Sequence, residues 1–254
     1  MLDIADRENR DMSRTGTMET GQPSLIDNGF MIRVFYVFAA LALLSVGISV
    51  TGKWVGSSIA TVGHSTDTSI REIVIGNNVL SVPANEIRFD RQRVNGDAQR
   101  LDVYLRWPDL EGYSNAARDD FNHRDGRRTI LFLTVEPSIM SRDMSGRLEP
   151  IYRRLIELPA MQGPAGLRLY KFRPDSGYTN EVLAVGERPG EEPFVARCLS
   201  ADAAASSLAA CERDVHFGDA LSLAYRFPDL HLAAWRELDA AVMEKARRYL
   251  QIAG

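Results

Sequence analysis

Cysteine is nearly missing from this 254-residue chain: Cys198 and Cys211 are the only two, and neither a CxxC nor an HExxH motif occurs. A zinc ribbon, a zinc protease or a thioredoxin-like centre therefore lacks its minimum parts. Histidine is as sparse. His64, His123, His216 and His231 are scattered, and no two stand four residues apart, so no helical face carries a ligand pair. Lysine is confined to Lys53, Lys171 and Lys245 among 30 basic residues, the rest being arginine. A formal net charge of −4 gives no concentrated basic face, so no nucleic-acid partner is expected. The GxSxG and SxxK motifs of activated serines are absent, as are the glycine-rich phosphate loops.

The densest polar loop, DDFNHRDGR at Asp119 to Arg127, fails as a calcium loop. Counting Asp120 as position one puts Arg124 at five and Leu131 at twelve, where oxygen ligands are needed. It reads as a solvated loop closed by an Asp-Gly turn. Glu191-Glu192 sits in a Pro/Gly turn and reads as solvated too. No catalytic, cofactor-binding or metal-ligating residue is nominated, and no cofactor is expected. A catalytic triad assembles in space, so missing motifs alone do not remove a hydrolase from consideration.

Long apolar runs are also rare, with one exception. VFYVFAALALLSVGISVTG, Val34 to Gly52, has no charge and is bracketed by Arg33 and Lys53. At ~1.5 Å per residue such a helix measures about 28 Å, close to the hydrocarbon thickness of a bilayer. Phe30, Met31 and Ile32 extend its apolar end, and Trp54 suits the far interface. The expectation is a transmembrane helix over 30–53 that contacts lipid through residues 34–52. Arg7, Arg10, Arg14 and Arg33 precede it and only Lys53 and Arg71 follow closely, which favours a cytoplasmic N-terminus. A signal peptide starting at Met31 and cut after Ser58-Ile59-Ala60 is the alternative, though the apolar run is long for one. Either way the rest of the chain leaves the cytoplasm. Small residues along the run, Ala39, Ala42, Ser45 and Gly47 among them, would also allow helix–helix contact.

Residues 1–29 are polar and aperiodic and read as a disordered cytoplasmic tail; residues 54–69, rich in Gly, Ser and Thr, read as a tether. Residues 70–254 read as one periplasmic α+β domain, mainly antiparallel sheet with a few packed helices. Strands are expected at Ile70–Ile75 and Val79–Val82, joined by a Gly76-Asn77-Asn78 turn, and at Leu101–Trp107, Thr129–Pro137, Leu167–Phe172, Glu181–Val185, Phe194–Leu199 and Leu221–Phe227. Leu101–Trp107 alternates as a half-buried strand would, whereas Thr129–Pro137 reads as central. Leu148, Ile151, Leu155 and Leu158 have helical spacing. A short Ala-rich helix capped by Ser200 or Asp202 should end near Cys211. The C-terminal segment sets Trp235, Leu238, Val242, Ala246 and Tyr249 on one stripe, an amphipathic helix.

Export decides the cysteines. An oxidising compartment joins such a pair, so Cys198 and Cys211 are expected as a disulfide tying a strand end to the short helix. Two aromatic loops, Trp107 to Tyr113 and Pro174 to Asn180, either present partner-binding aromatics or fold back into the core. The functional expectation is a non-enzymatic binding or assembly module of the cell envelope in a Gram-negative bacterium. It would be single-pass in the inner membrane, with an envelope protein or cell-wall component as partner. The alternative is an anchored periplasmic hydrolase whose site assembles in space.

Overall fold

In the computed structural model the described backbone comprises residues 28–59 and 63–250, and these fall into two compact units. The first is a single helix, α1 (Asn28–Ile59). Its side chains are described over residues 31–47, where Phe35, Tyr36, Phe38, Leu43, Leu44 and Val46 are all exposed. Among the described residues no helix is long and apolar enough to cross a membrane, so the spanning role expected of residues 34–52 is not supported by the structure. The helix continues through Trp54 to Ile59, into the stretch expected as a tether. The expected tail up to Asp27 and the Ala60 cleavage position lie outside the described residues.

The second unit is built on two sheets. A small sheet has the order β2–β1–β3, from β1 (Ile70–Ile75), β2 (Asn78–Pro83) and β3 (Gly96–Asp97). After β4 (Leu101–Arg106) come the short helix α2 (Arg118–Phe121) and β5 (Ile130–Pro137). A wide helical turn at Leu148–Tyr152 runs into α3 (Arg153–Leu155). β6 (Met161–Gln162), β7 (Arg168–Lys171), β8 (Glu181–Gly186) and β9 (Phe194–Leu199) follow, then α4 (Ala201–Ala204). β10 (Cys211–Phe217), β11 (Leu221–Phe227) and α5 (Trp235–Tyr249) complete it. The large sheet has the order β4–β5–β11–β10–β9–β8–β7–β6 and is antiparallel throughout. The α+β class expected from the sequence is present, and the pairing of β3 with β1 is parallel.

One face of the large sheet carries the main core. Alternate residues of β4, β5 and β11, such as Val103, Leu133 and Leu223, point into it together with Ile73, Ile75, Leu80 and Val82 of the hairpin. α5 closes this face with the stripe read from the sequence: Trp235, Leu238, Val242, Ala246 and Tyr249 are all buried. Each large side chain so buried contributes roughly 1.5–3 kcal/mol. The helix end is also pinned by charge, because Lys245 Nζ donates to buried Glu86 at 2.7 Å and Tyr249 Oη donates to the same carboxylate. Two turns are tied together as well. Asn78 accepts from the Asp219 amide and donates to its carbonyl, both at 2.8 Å, which links the β1–β2 turn to the β10–β11 turn. Gly218, at φ +58°, sits inside that knot; a Cβ there would lie 2.7 Å from the Asn78 side chain.

The opposite face is covered only at its flanks. Met144, Leu148, Tyr152 and Ile156 pack on Tyr170, Leu183, Val185 and Val195 of β7–β9. Tyr113, Ala117 and Phe121 pack on Tyr104 and Ile130 of β4–β5. This corrects two expectations. Leu101–Arg106 is buried on both sides, not half-buried. The stripe around residues 146–158 is Leu148, Tyr152 and Ile156, while Ile151 and Leu158 are exposed, because the first turn is wider than an α-turn and shifts the buried face.

A third correction concerns the cysteines. They are disulfide-bonded, but Cys211 opens strand β10 and is the register partner of Cys198 on β9, so the bond joins two strands. β10 and β9 pair only at Cys211–Cys198 and Glu212–Arg197, then part. Arg213 fills the seam. It is 4% exposed, donates at 3.0 Å to the Val195 carbonyl of β9, at 2.9 Å to Ser145, and at 3.0 Å to Asp239 of α5. Tyr225 and Arg188 donate to the same Asp239 carboxylate, so the buried charge is fully met.

Candidate binding surface

Between the two covered flanks, no cluster of described apolar residues closes the middle of the second face, where Phe132, Thr134, Asp214 and Ala224 are half-buried. Strand register builds it row by row. One row runs Tyr104, Phe132, Arg226, Glu212, Arg197 across β4, β5, β11, β10 and β9. The next runs Asp102, Thr134, Ala224, Asp214, and a third Glu136, Ser222, His216. Tyr104 is buried under the α2 side, whereas Arg226 is exposed. The rows form a trough with a cavity of about 340 Å³ above β4, β5 and β11. A second cavity of about 190 Å³ shares Glu212 and Arg226 with it and extends to Arg197 and Glu181.

The floor is electrostatically fixed. Asp102 accepts from Arg100 at 2.8 and 3.0 Å, from Thr134 at 2.9 Å and from Gln92 at 3.1 Å. Burial opposes its charge, but these hydrogen bonds outweigh burial and hold the carboxyl below the usual carboxylate range. Arg100 also reaches Glu136 at 3.8 Å. Arg197 reaches Glu212 at 3.0 Å and Glu181 at 3.5 Å. At the far side Asp214 is bridged by Arg147, yet burial raises its carboxyl above the ordinary value. Over the near wall the Arg88 guanidinium lies 4.7 Å from the Phe132 ring and 5.0 Å from the Phe89 ring.

The four histidines occupy four separate places. His64 stacks on Tyr113 at 4.6 Å and meets Tyr104 Oη at 3.1 Å. His123 is half-buried 6.3 Å from Phe132, and His231 is buried 6.0 Å from Trp107. Burial lowers the pKa of all three. His216 is exposed and its Nε2 lies 2.9 Å from Ser138 Oγ. Among the described residues this is the one serine–imidazole pair, and it falls short of a triad. The neighbouring Asp143 meets the His216 main-chain amide at 3.4 Å, not the ring, and Ser138 donates instead to the Met140 carbonyl. Among the described residues no group of three or more His, Cys, Asp or Glu is placed to hold a metal.

Both aromatic loops fold inward. Tyr113 is buried, Trp107 packs against the core, and Tyr178 stacks on Phe172 at 4.4 Å beneath Arg197. The trough residues Arg88, Asp102, Thr134 and Arg226 were not nominated from the sequence. The signal for Asp102, Thr134 and Arg226 is the polar alternation of Leu101–Trp107, Thr129–Pro137 and Leu221–Phe227, which looks the same for a solvated face and for the floor of a trough.

No known protein family and no curated protein matches the chain. Among solved structures it is similar to an immunity protein of the Stenotrophomonas maltophilia type IV secretion system, at 13% identity and a TM-score of 0.49, over 73% of this chain and 94% of that one. It is also similar to the Neisseria meningitidis iron-regulated outer membrane lipoprotein FrpD, at 10% identity and a TM-score of 0.42, over 74% and 95%. Neither likeness assigns a function to this chain.

Proposed function

We propose that this chain is a membrane-anchored, non-enzymatic binding module of the bacterial cell envelope, with the trough on the large sheet as its binding surface. The observation that carries the binding reading is the centre of that face, which no cluster of described apolar residues closes. Both flanks are sealed by buried side chains, while β5, β11 and β10 present fixed ion pairs and a cavity between them. Sheets of this kind normally bury one face and solvate the other, and here one face is divided between the two roles. The anchor is α1, whose apolar side chains over residues 31–47 are exposed and whose uncharged run in sequence reaches bilayer length. A disulfide in the domain suits an oxidising compartment, which supports the periplasm as its location.

The test is a gel-shift thiol assay on the full chain in its own cells, with a large maleimide added to denatured membranes before and after reduction. Labelling of both cysteines only after reduction, in a fraction that resists extraction at alkaline pH, is the expected result. Equal labelling without reduction, or recovery in the soluble fraction, removes the anchored periplasmic assignment.

A further inference from the structure

Charge bookkeeping in the trough is uneven. Three guanidiniums hold the five carboxylates facing it: Asp102 and Glu136 share Arg100, Glu212 and Glu181 share Arg197, and Asp214 has Arg147. Two guanidiniums are left over. Among the described residues the guanidiniums of Arg88 and Arg226 make no ion pair and no hydrogen bond, and both line the 340 Å³ cavity. Arg226 stands directly across from Glu212 in the sheet, yet Glu212 is held by Arg197 on the other side, so the arginine stays open.

Arg88 is also held ready. With two rings within 5.0 Å, its head is kept in place by contacts that leave its N–H fork unused. A planar fork of that kind matches a carboxylate in two parallel hydrogen bonds, and a pre-ordered side chain loses little entropy on binding. Phe89, 36% exposed, offers an apolar surface beside it.

Resting on the binding reading above, we propose that the trough takes an acidic peptide segment of a protein partner. Its carboxylates would pair with Arg88 and Arg226, and an apolar neighbour would cover Phe89. The trough continues past Glu212 and Arg226 to the second cavity, which favours a run of side chains over a single small anion.

The experiment uses the full chain in detergent and two fluorescein-labelled nonapeptides, one alternating Glu with Phe and one alternating Lys with Phe, read by anisotropy. The acidic peptide should bind and the basic one should not, with affinity falling as salt rises. Arg88→Ala and Arg226→Ala should each weaken binding about tenfold, as loss of a charged contact does. Arg247→Ala on α5 should leave it unchanged. The double reversal Arg88→Glu with Arg226→Glu should switch preference to the basic peptide, which a mere folding defect cannot do. Equal binding of both peptides, or indifference to Arg88 and Arg226, overturns the proposal. So does full displacement by millimolar inorganic phosphate, which would mark a small-anion site. These outcomes leave the anchored periplasmic reading standing, since that reading fails only on the thiol and extraction assay.

Discussion

Arg213 shows how much one side chain carries here. It sits within CERDVHF, a run with three consecutive charges, at the position where a strand on this face demands an apolar residue. It is tolerated because Asp239, Ser145 and the Val195 carbonyl meet its donors inside the seam. Removing Arg213 takes from Asp239 one of its two guanidiniums and leaves the Val195 carbonyl without this donor in the seam, so Arg213→Leu should cost about 3 kcal/mol. The midpoint of urea unfolding reads it directly, and a loss within error would mean that the seam repacks without the guanidinium. The histidines set a pH dependence. His64, His123 and His231 all have folded pKa values lowered from 6.5 by burial, so the native state prefers them neutral. Their contribution to stability is complete above that value and is lost as pH falls below it through the folded values. Stability should therefore decline from pH 7 to pH 5, and His64→Phe should make the decline shallower; a flat profile in the parent chain would contradict this.

At the scale of elements, the disulfide works as a clamp where β9 and β10 are still paired. The two cysteines are 13 apart in sequence, and closing a loop of that size should stabilise the fold by about 3 kcal/mol. The double variant Cys198→Ser with Cys211→Ser should lower the melting temperature by several degrees, and reductant should do the same to the parent and nothing to the variant. The pairing was legible from compartment logic, but its geometry was not. The sequence suggests a strand tied to a helix because the Ala-rich stretch after Ser200 looks helical up to Cys211. The helix is only Ala201–Ala204, and β10 went unread since its core-facing arginine breaks the apolar alternation on which strand reading depends. By contrast α5 and β11 were plain in the sequence, each having an unbroken stripe of the right period.

For the whole molecule, the antiparallel α+β class could be read from strands arriving in clusters. The order of those strands could not, because register partners such as Phe132 and Arg226 are set by long-range pairing that no local pattern encodes. The trough was invisible for the same reason: it exists only once four strands lie side by side. That order also governs how the domain is made. The β10–β11 hairpin, last of the described strands, is wedged into the middle of the sheet between β5 and β9. A nascent chain emerging N-terminus first thus holds β4–β5 and the β6–β9 meander as two fragments, each with a bare inner edge. Until the chain beyond Phe227 has emerged, those edges are templates for the wrong strand, and the domain is at its most aggregation-prone while it waits for that hairpin.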